Sequence, residues 1–537
     1  MRCTAARNRA TAFLSLFILA ACGGGGGGSY GGGGNTNPPT PPTPTSFTIG
    51  GTVTGLASSG LVLSNNGGDA LLLSSSGTFT FAMTVATGSA YSVTISSQPN
   101  IGPLQVCTLT NGSGSVAGAA VTSVAVDCVT KTAKFLYVPN QTAGTVSAYT
   151  INASTGFLTA VAGSPFATEP APRFATADAS GKFLYVTTLG SSTNPPRISG
   201  YALNGTSGVL TELDDSPFDL SSTPTPPSST FVTAPAVHTS GAFGYLTVWN
   251  PSPSPTVNLY GATIDSTTGD LAQIAGTPLP VGYDAQTPVL EPTGKFAFLA
   301  RDTAPNSSGE IMSFNISSPS GVLTANGATS TGGNRPIAAL TFDGKFVLVS
   351  NAASGTFVVM TVDSAGVVAM KGSPIATGAA GTSPGVPIYS RRFGVVYLAN
   401  APLSGGSVPS LAAYHIDNNG VLTMLAGSPY SSNGATLFPL PHPSGKFLYQ
   451  VNGSTGSLQR YSLDSTGVPT LVADVTTPMD SPTFLVPDPS GNYLYVTSGS
   501  GGSVSSYSVD HTTGALTLVN TVAAGAGAFL PQPVGLQ

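Results

Sequence analysis

The sequence predicts an all-β protein in which a small β-sandwich precedes a β-propeller of eight blades, with seven blades as the alternative. Only 7% of the 537 residues are charged, and residues that disfavour helices are abundant, with 67 Gly and 44 Pro. The run Ser-Gly-Lys-Phe-Leu-Tyr-Val at residues 180–186 returns in looser copies at a spacing of about fifty residues, which is typical of solenoids and propellers. Ahead of these repeats, short alternating runs separated by turn residues indicate a β-sandwich.

Residues 1–22 are predicted to be an export signal. Arginines near the amino terminus give a positive region, and the apolar run at 10–19 is too short to span a bilayer as a helix. The following Leu-Ala-Ala-Cys resembles the bacterial lipobox, which implies that Cys22 becomes the lipid-modified first residue of the mature protein. The alternative is an ordinary signal peptide cut after Ala21, with Cys22 an unmodified thiol.

Residues 23–46 are predicted to be a disordered tether, because a Gly run followed by a Pro- and Thr-rich run cannot bury apolar surface. Together with Cys22, this tether predicts a lipoprotein of the cell envelope. We expect it to be anchored in the outer membrane through its lipid, facing either the periplasm or the cell surface.

Residues 47–130 are predicted to form the sandwich. Runs such as 78–81 (Thr-Phe-Thr-Phe) and 91–95 (Tyr-Ser-Val-Thr-Ile) indicate roughly seven short strands. The pattern resembles that of immunoglobulin-like modules. Cys107 and Cys128 are predicted to form a disulfide, as an even pair in an exported domain. The alternative, a metal site with two thiolate ligands, lacks a nearby His or a further Cys.

Residues 131–537 are predicted to form the propeller, because each repeat can be divided into the four strands of a blade. An apolar segment leads into the Ser-Gly-Lys turn and a Phe-Leu-Tyr-Val strand. A third strand with an aromatic residue near its end follows, and then an outer strand that opens on Gly-x-Leu-Thr. The second strands are predicted to start at Lys134, Lys182, Ala242, Lys295, Lys345, Arg392, Lys446 and Asn492.

The first repeat lacks its own innermost strand, because it begins at Lys134, soon after Cys128. Residues 533–537 (Pro-Val-Gly-Leu-Gln) are similar to the start of innermost strands elsewhere, such as 482–486 (Pro-Thr-Phe-Leu-Val). We therefore expect residues 533–537 to complete the first blade and close the ring, which satisfies edge groups that would otherwise stay unpaired.

The repeated Ser-Gly-Lys-Phe-Leu-Tyr-Val, Ser-x-Tyr-x-Ile/Val and Gly-x-Leu-Thr motifs resemble those of the lactonase-type propellers, which include bacterial 6-phosphogluconolactonases. The resemblance covers about residues 131–537 and implies a propeller that usually has seven blades. It also implies hydrolysis of a lactone, a reaction of the carboxylic-ester type.

Five polar residues are predicted to form a ring on turns at one face of the propeller. Each stands four residues before the start of a second strand: Asp178, His238, Glu291, His442 and Asp488. Such carboxylates and imidazoles could hold a divalent metal ion or act as a base. The alternative is that they are turn residues facing water. The sequence predicts no cofactor. By strand alternation, His415 is expected to face solvent.

Arg173 and Arg335 stand near the start of innermost strands, close to the predicted central channel. An arginine in this position could bind a carboxylate or phosphate through its planar fork. The alternative is an arginine at the channel mouth that pairs with a neighbouring acid.

Two functions follow from these features. The first is a non-catalytic envelope module that binds a ligand, a protein or a glycan on one face of the propeller. The second is a lactone hydrolase that uses the arginines and the turn His, Asp and Glu residues. A net charge of −5 without a basic patch argues against nucleic acid as a partner, and we expect a monomer.

Overall fold

The computed structural model describes residues 45–190, 194–220, 231–250, 256–305, 307–403, 408–432, 436–452, 455–476 and 481–536. All regular secondary structure in these ranges is β, which confirms the predicted all-β class, and none of them holds a helix long and apolar enough to cross a membrane. The predicted signal with Cys22, and the tether up to residue 44, lie outside the described residues. Ser46–Gln537 form one compact unit.

The sandwich consists of two four-stranded sheets that share an apolar core including Val53, Leu63 and Val126. In spatial order the first sheet contains Gly77–Thr80, Ile49–Thr54, Val121–Thr130 and Gln105–Thr110. The second contains Gly68–Leu73, Leu61–Asn65, Ala90–Ser97 and Ser113–Ser115, and the short strands Ser46–Phe47 and Val85–Ala86 pair separately.

Cys107 and Cys128 lie directly opposite each other on neighbouring antiparallel strands and form a disulfide, as predicted. Their Cα atoms are 4.0 Å apart, and both side chains are buried in the sandwich core. Because both sulfur atoms are used in this bond, the alternative of a thiolate metal site is wrong.

The sandwich contacts the propeller at the turns of blades 6 and 8. The Leu104 amide donates to the Pro489 carbonyl at 2.8 Å, and Arg391 Nη1 donates to the Asn100 carbonyl at 3.3 Å.

Eight successive sheets follow in the described parts of residues 131–536, each with four strands along its main path. The predicted start of every second strand lies within three residues of an observed one.

From the centre outward, blade 1 contains Gln532–Leu536, Ala133–Asn140, Thr145–Ile151 and Leu158–Ala160 with Phe166–Ala167. Blade 2 contains Pro172–Ala177, Phe183–Thr188, Arg197–Leu203 and Leu210–Glu212 with Phe218–Asp219. Blade 3 contains Phe231–Val232 with Ala236–Val237, Phe243–Asn250, Thr256–Ile264, and Leu271–Gln273 with Leu279–Gly282. Blade 4 contains Val289–Leu290, Phe296–Asp302, Gly309–Ser317 and Val322–Ser330.

The remaining blades repeat this antiparallel order. Blade 5 contains Pro336–Leu340, Phe346–Asn351, Thr356–Val362 and Val368–Ala376. Blade 6 contains Thr382–Pro384 with Ile388–Ser390, Val395–Pro402, Ser410–Ile416, and Leu422–Met424 with Tyr430–Ser431. Blade 7 contains Thr436–Pro441, Phe447–Asn452, Ser457–Leu463 and Pro469–Thr476. Blade 8 contains Pro482–Pro487, Tyr493–Ser498, Ser503–Val509 and Leu516–Ala523.

The repeated motifs form the contacts between blades. The aromatic residue at the start of a second strand packs against the glycine that opens the outer strand of the next blade. These glycines have positive φ and no room for a side chain: a Cβ on Gly514 would lie 2.4 Å from Cδ1 of Phe447. The pairs are Phe135–Gly208, Phe183–Gly269, Phe243–Gly321, Phe296–Gly366, Phe346–Gly420, Phe393–Gly467, Phe447–Gly514 and Tyr493–Gly156.

The last of these pairs joins blade 8 to blade 1 and so closes the ring. Within blade 1, Gln532–Leu536 pairs antiparallel with Ala133–Asn140, in a register that places Val534 opposite Phe135. The expectation that the carboxyl-terminal residues complete the first blade is therefore confirmed for Pro533 to Leu536.

Candidate functional site

The two turn histidines connect neighbouring blades and do not face water. His442 Nε2 donates to the Gly491 carbonyl of the next blade at 2.6 Å, and its Nδ1 accepts from the Ser444 amide at 3.2 Å. His238 bonds the Gly294 carbonyl and the Ser240 amide in the same way, at 3.0 and 3.1 Å. Both ring nitrogens of each histidine are thus used within the fold, and both rings are buried.

Burial lowers the pKa of His442 from 6.5 to about 4, although the bond to Gly491 opposes this shift. A proton on Nδ1 would also break the bond from the Ser444 amide, since that nitrogen could no longer accept. His442 is therefore neutral at pH 7 and is held in one tautomer by its neighbours.

The three turn carboxylates are likewise engaged in local contacts. Asp178 accepts from the amides of Lys182 and Phe183, each at 2.8 Å, and so caps its own turn. Asp488 is buried and accepts from the Ala133 amide of blade 1 at 3.0 Å, while burial raises its pKa. Glu291 is also buried and accepts from the Thr293 hydroxyl.

The structure does not bring these five turn residues together. They lie in blades 2, 3, 4, 7 and 8, at the opposite ends of the inner strands from Arg173 and Arg335. Among the described residues, no group of three or more His, Cys, Asp or Glu side chains is placed to hold a metal ion. The turn residues therefore act as connectors between and within blades, and their water-facing alternative is wrong for the four that are buried.

Arg335 lies at the start of the innermost strand of blade 5, and acids of blade 4 surround it. Its Nε donates to Asp284 Oδ2 at 2.9 Å, and its backbone amide donates to Asp302 Oδ1 at 2.8 Å. The Asp302 side chain is 1% exposed, and burial raises the pKa of its carboxyl group. The sequence-based alternative of an arginine paired with neighbouring acids therefore describes Arg335.

Arg173 lies at the same end of the ring, in blade 2, and its surroundings are aromatic. Its guanidinium carbon lies 4.2 Å from the ring centre of Phe231, 5.2 Å from that of Phe529 and 5.5 Å from that of Phe174. Its Nε is buried, and no hydrogen bond or ion pair joins the side chain to any described residue. Desolvation by burial lowers the pKa of this guanidinium.

The three rings around Arg173 and a fourth that packs on Phe529 come from four different blades. Phe529 precedes the closing strand of blade 1, and its ring centre lies 4.4 Å from that of Phe484 in blade 8 and 5.5 Å from that of Phe174 in blade 2. Phe231 belongs to blade 3. We call Arg173, Phe174, Phe231, Phe484 and Phe529 the rim cluster. It is an apolar surface with one cation, which suits an anion that also carries a flat or apolar part.

The sequence identified Arg173 but not the four phenylalanines. Phe529 stands out in hindsight, because it is an aromatic residue that directly follows the small-residue segment 523–528 (Ala-Ala-Gly-Ala-Gly-Ala). The convergence of these rings depends on how the blades are arranged around the channel, which a single repeat does not reveal.

The family model of the lactonases, described as a seven-bladed β-propeller, matches residues 98–223 and 397–530. The matched segments contain Arg173, Phe174, Phe484 and Phe529 of the rim cluster and leave out Phe231, Arg335 and all of blades 3 to 5. The described residues of the propeller form eight sheets where the family description has seven blades.

Solved structures similar to this chain include the periplasmic gluconolactonase PpgL of Pseudomonas aeruginosa, with 15% identity, a TM-score of 0.46 and coverage of 76% of this chain and 100% of that one. A putative 6-phosphogluconolactonase from Bacteroides fragilis has 15% identity, a TM-score of 0.47 and coverage of 75% and 97%. A protein from Lactobacillus plantarum has 17% identity, a TM-score of 0.47 and coverage of 75% and 99%. No curated protein matches the sequence.

Proposed function

On the premise that this propeller matches the lactonase family, we propose that the chain binds a small carboxylate with a ring or apolar body at the rim cluster. The observation that carries this proposal is the unpaired guanidinium of Arg173. Other arginines at this end of the ring have acidic partners: Arg197 pairs with Glu169 and Asp219, Arg301 with Glu310, and Arg335 with Asp284.

A carboxylate on Arg173 would supply the partner that the protein does not. A partly buried guanidinium gains strongly from a bidentate carboxylate, because both groups are removed from water and their geometries match. The rings of Phe231 and Phe529 would at the same time contact the body of the ligand. A sugar acid such as gluconate has both parts, a carboxylate and a face of C–H groups.

The proposal is tested by calorimetric titration of the full chain with gluconate and, as the uncharged counterpart, glucose. We expect gluconate to bind and glucose to bind at least tenfold more weakly. Arg173→Ala should weaken gluconate binding at least tenfold, and Arg173→Lys should restore only part of it, because an ammonium cannot make the bidentate contact.

Arg391→Ala is the matched control. Arg391 also stacks on a phenylalanine, 3.7 Å from the ring centre of Phe342, but it lies on the turn that contacts the sandwich. This variant should bind gluconate like the wild type. Equal binding of glucose and gluconate, or an unchanged affinity in Arg173→Ala, would contradict the proposal.

The second candidate is lactone hydrolysis, which the match to the lactonase family favours. In this reaction, water adds to the lactone carbonyl carbon, the ring C–O bond breaks, and the hydroxy acid that forms ionises to a hydroxy carboxylate and a proton. Asp284 is a partly exposed carboxylate at the same rim that could accept the proton from water, with Arg335 beside it. The carboxylate product would be a ligand of the kind proposed for Arg173.

Proton release from glucono-1,5-lactone, followed above the uncatalysed rate, tests this second function. If the wild type hydrolyses the lactone and Arg335→Ala does not, the binding-only function is rejected. Lys345→Ala, which removes another exposed ion-paired cation, is the control and should leave turnover unchanged. No turnover in the wild type would leave binding as the function of the rim.

The proposed location is the cell envelope, with the chain anchored through Cys22. The supporting observation is the Leu-Ala-Ala-Cys sequence that follows the apolar run, ahead of a Gly- and Pro-rich segment. Metabolic labelling with a fatty acid should mark the wild type and not Cys22→Ser. Labelling of both proteins would contradict anchoring at this residue.

A further inference from the structure

A cavity separate from the rim cluster lies between blades 2 and 3 and has a volume of about 330 Å³. Apolar and aromatic side chains line most of it, including Tyr185, Ile198, Tyr245 and Leu271. A volume of this size is within the range of small-molecule sites.

The cavity exists because blade 3 departs from the repeat. In blade 2, Leu184 and Tyr201 are cross-strand neighbours that pack toward blade 1, with exposures of 0% and 3%. The corresponding pair in blade 3 is Gly244 and Ala262, which leaves the space toward blade 2 unfilled, and both residues line the cavity.

The third strand of blade 3 has its tyrosine two residues earlier than the third strand of blade 2. Tyr260 stands where blades 1 and 2 have Ser147 and Ser199, two residues before Ala262. Its ring lines one part of the cavity wall, and Tyr185, Phe218 and Tyr245 add further aromatic rings to the lining. Flat aromatic ligands suit such walls, because rings gain from offset or edge contacts as well as from burial.

Charge at the cavity selects among aromatic ligands. Asp215 and Asp219 line it, in a segment that also contains Glu212 and Asp214. Asp219 is paired with Arg197, whereas Asp215 is exposed and forms no ion pair with a described residue. A cationic ligand would be attracted to this side of the cavity, and an anionic one would be repelled.

We infer that the cavity between blades 2 and 3 binds a small aromatic molecule with a positively charged arm. The ring occupies the space that Gly244 and Ala262 leave free, and the arm extends toward Asp215. This site takes a ligand of the opposite charge to the one proposed for Arg173, and its binding does not require the rim cluster.

Three para-substituted phenols of different charge test the inference by calorimetric titration of the full chain. They are tyramine, which is cationic, p-cresol, which is neutral, and 4-hydroxyphenylacetate, which is anionic. We expect tyramine to bind tightest and 4-hydroxyphenylacetate weakest, with at least a tenfold difference between them. Absence of tyramine binding at millimolar concentration, or preference for the anion, would overturn the inference.

Ala262→Tyr and Ala262→Phe restore the bulk that other blades have at this position, and should weaken tyramine binding at least tenfold. Ala262 is preferred to Gly244 for this purpose, because a Cβ on Gly244 would lie 3.1 Å from the Ala236 carbonyl oxygen. Unchanged tyramine affinity in both folded variants would contradict the location.

Asp215→Asn leaves the cavity walls intact and should reduce the preference for tyramine over p-cresol several-fold. Glu212→Gln removes the same charge from the same segment without lining the cavity, and should keep the preference. An identical effect of the two variants would contradict a specific contact with Asp215. Arg173→Ala should affect gluconate alone, so that failure at one site is distinguishable from failure at the other.

Discussion

Buried tyrosine hydroxyls connect neighbouring blades residue by residue. Tyr449 donates its hydroxyl hydrogen to the Gly514 carbonyl of the next blade at 2.7 Å. Tyr137, Tyr185 and Tyr397 make the equivalent bond to Gly208, Gly269 and Gly467. Each of these bonds satisfies a carbonyl at a glycine that packs on an aromatic ring, so that packing and hydrogen bonding stabilise the same contact.

Tyr449→Phe should lower the free energy of unfolding by about 1–2 kcal/mol, because the Gly514 carbonyl loses its buried donor. The measurement is the denaturant midpoint. Tyr507→Phe is the matched control, since Tyr507 is a similarly buried tyrosine whose hydroxyl has no hydrogen-bond partner among the described residues. Equal losses in the two variants would show that the bond to Gly514 adds nothing.

His442 should make stability depend on pH. The unfolded chain binds a proton on this residue below about pH 6.5, whereas the folded protein binds it only below about pH 4. Between these values the unfolded state holds more protons, so stability falls as pH falls, by at most ~3 kcal/mol from this group.

Denaturant midpoints measured from pH 7 to pH 4.5 test this expectation. His442→Gln should show a smaller loss over this range than the wild type. His415→Gln should keep the wild-type loss, since His415 is exposed on its strand, as the sequence predicted. The comparison with wild type removes the contribution of titrating carboxylates. A pH dependence that His442→Gln leaves unchanged would contradict the lowered pKa.

At the scale of elements, the closing strand Gln532–Leu536 is the critical one. Deletion of residues 533–537 should lower the melting temperature by several degrees or more. It exposes the hydrogen-bonding edge of Ala133–Asn140 and removes the buried Val534 side chain, whose burial alone is worth about 2 kcal/mol. Differential scanning calorimetry measures the effect.

Deletion of Gln537 alone is the control, because it leaves every described pair of the closing strand intact. The melting temperature of the variant that lacks only Gln537 should match that of the wild type. An unchanged melting curve after loss of residues 533–537 would mean that this strand is not needed for closure.

Elements were largely predictable because their signals are local and repeated. The turn before Phe183–Thr188 and the glycine that opens each outer strand recur in almost every blade. The spacing of these repeats was therefore enough to predict where each second strand starts. The inner strand of blade 1 was found in the same way, because the first repeat lacked one and residues 533–537 resemble the inner strands of other repeats. The role of the turn residues was not predictable, since a histidine such as His442 has the same sequence context whether it faces water or the Gly491 carbonyl.

At the scale of the whole molecule, both candidate sites depend on neighbours that are distant in sequence. Arg173 was recognisable from its place at the start of an inner strand, but Phe529 reaches it only because the ring closes. The cavity was detectable in principle, because Gly244 and Ala262 stand where other blades carry large residues. The sequence alone could not show whether Tyr260 would refill that space.

Ring closure also imposes an order in time. The two innermost strands of blade 1 are synthesised far apart in time. Ala133–Asn140 emerges before all other propeller strands, and Gln532–Leu536 emerges after them. A growing chain therefore carries an open strand edge until Gln532–Leu536 has emerged. Such an edge can pair with other chains, so we expect the nascent protein to be prone to association until Gln532–Leu536 has paired with Ala133–Asn140.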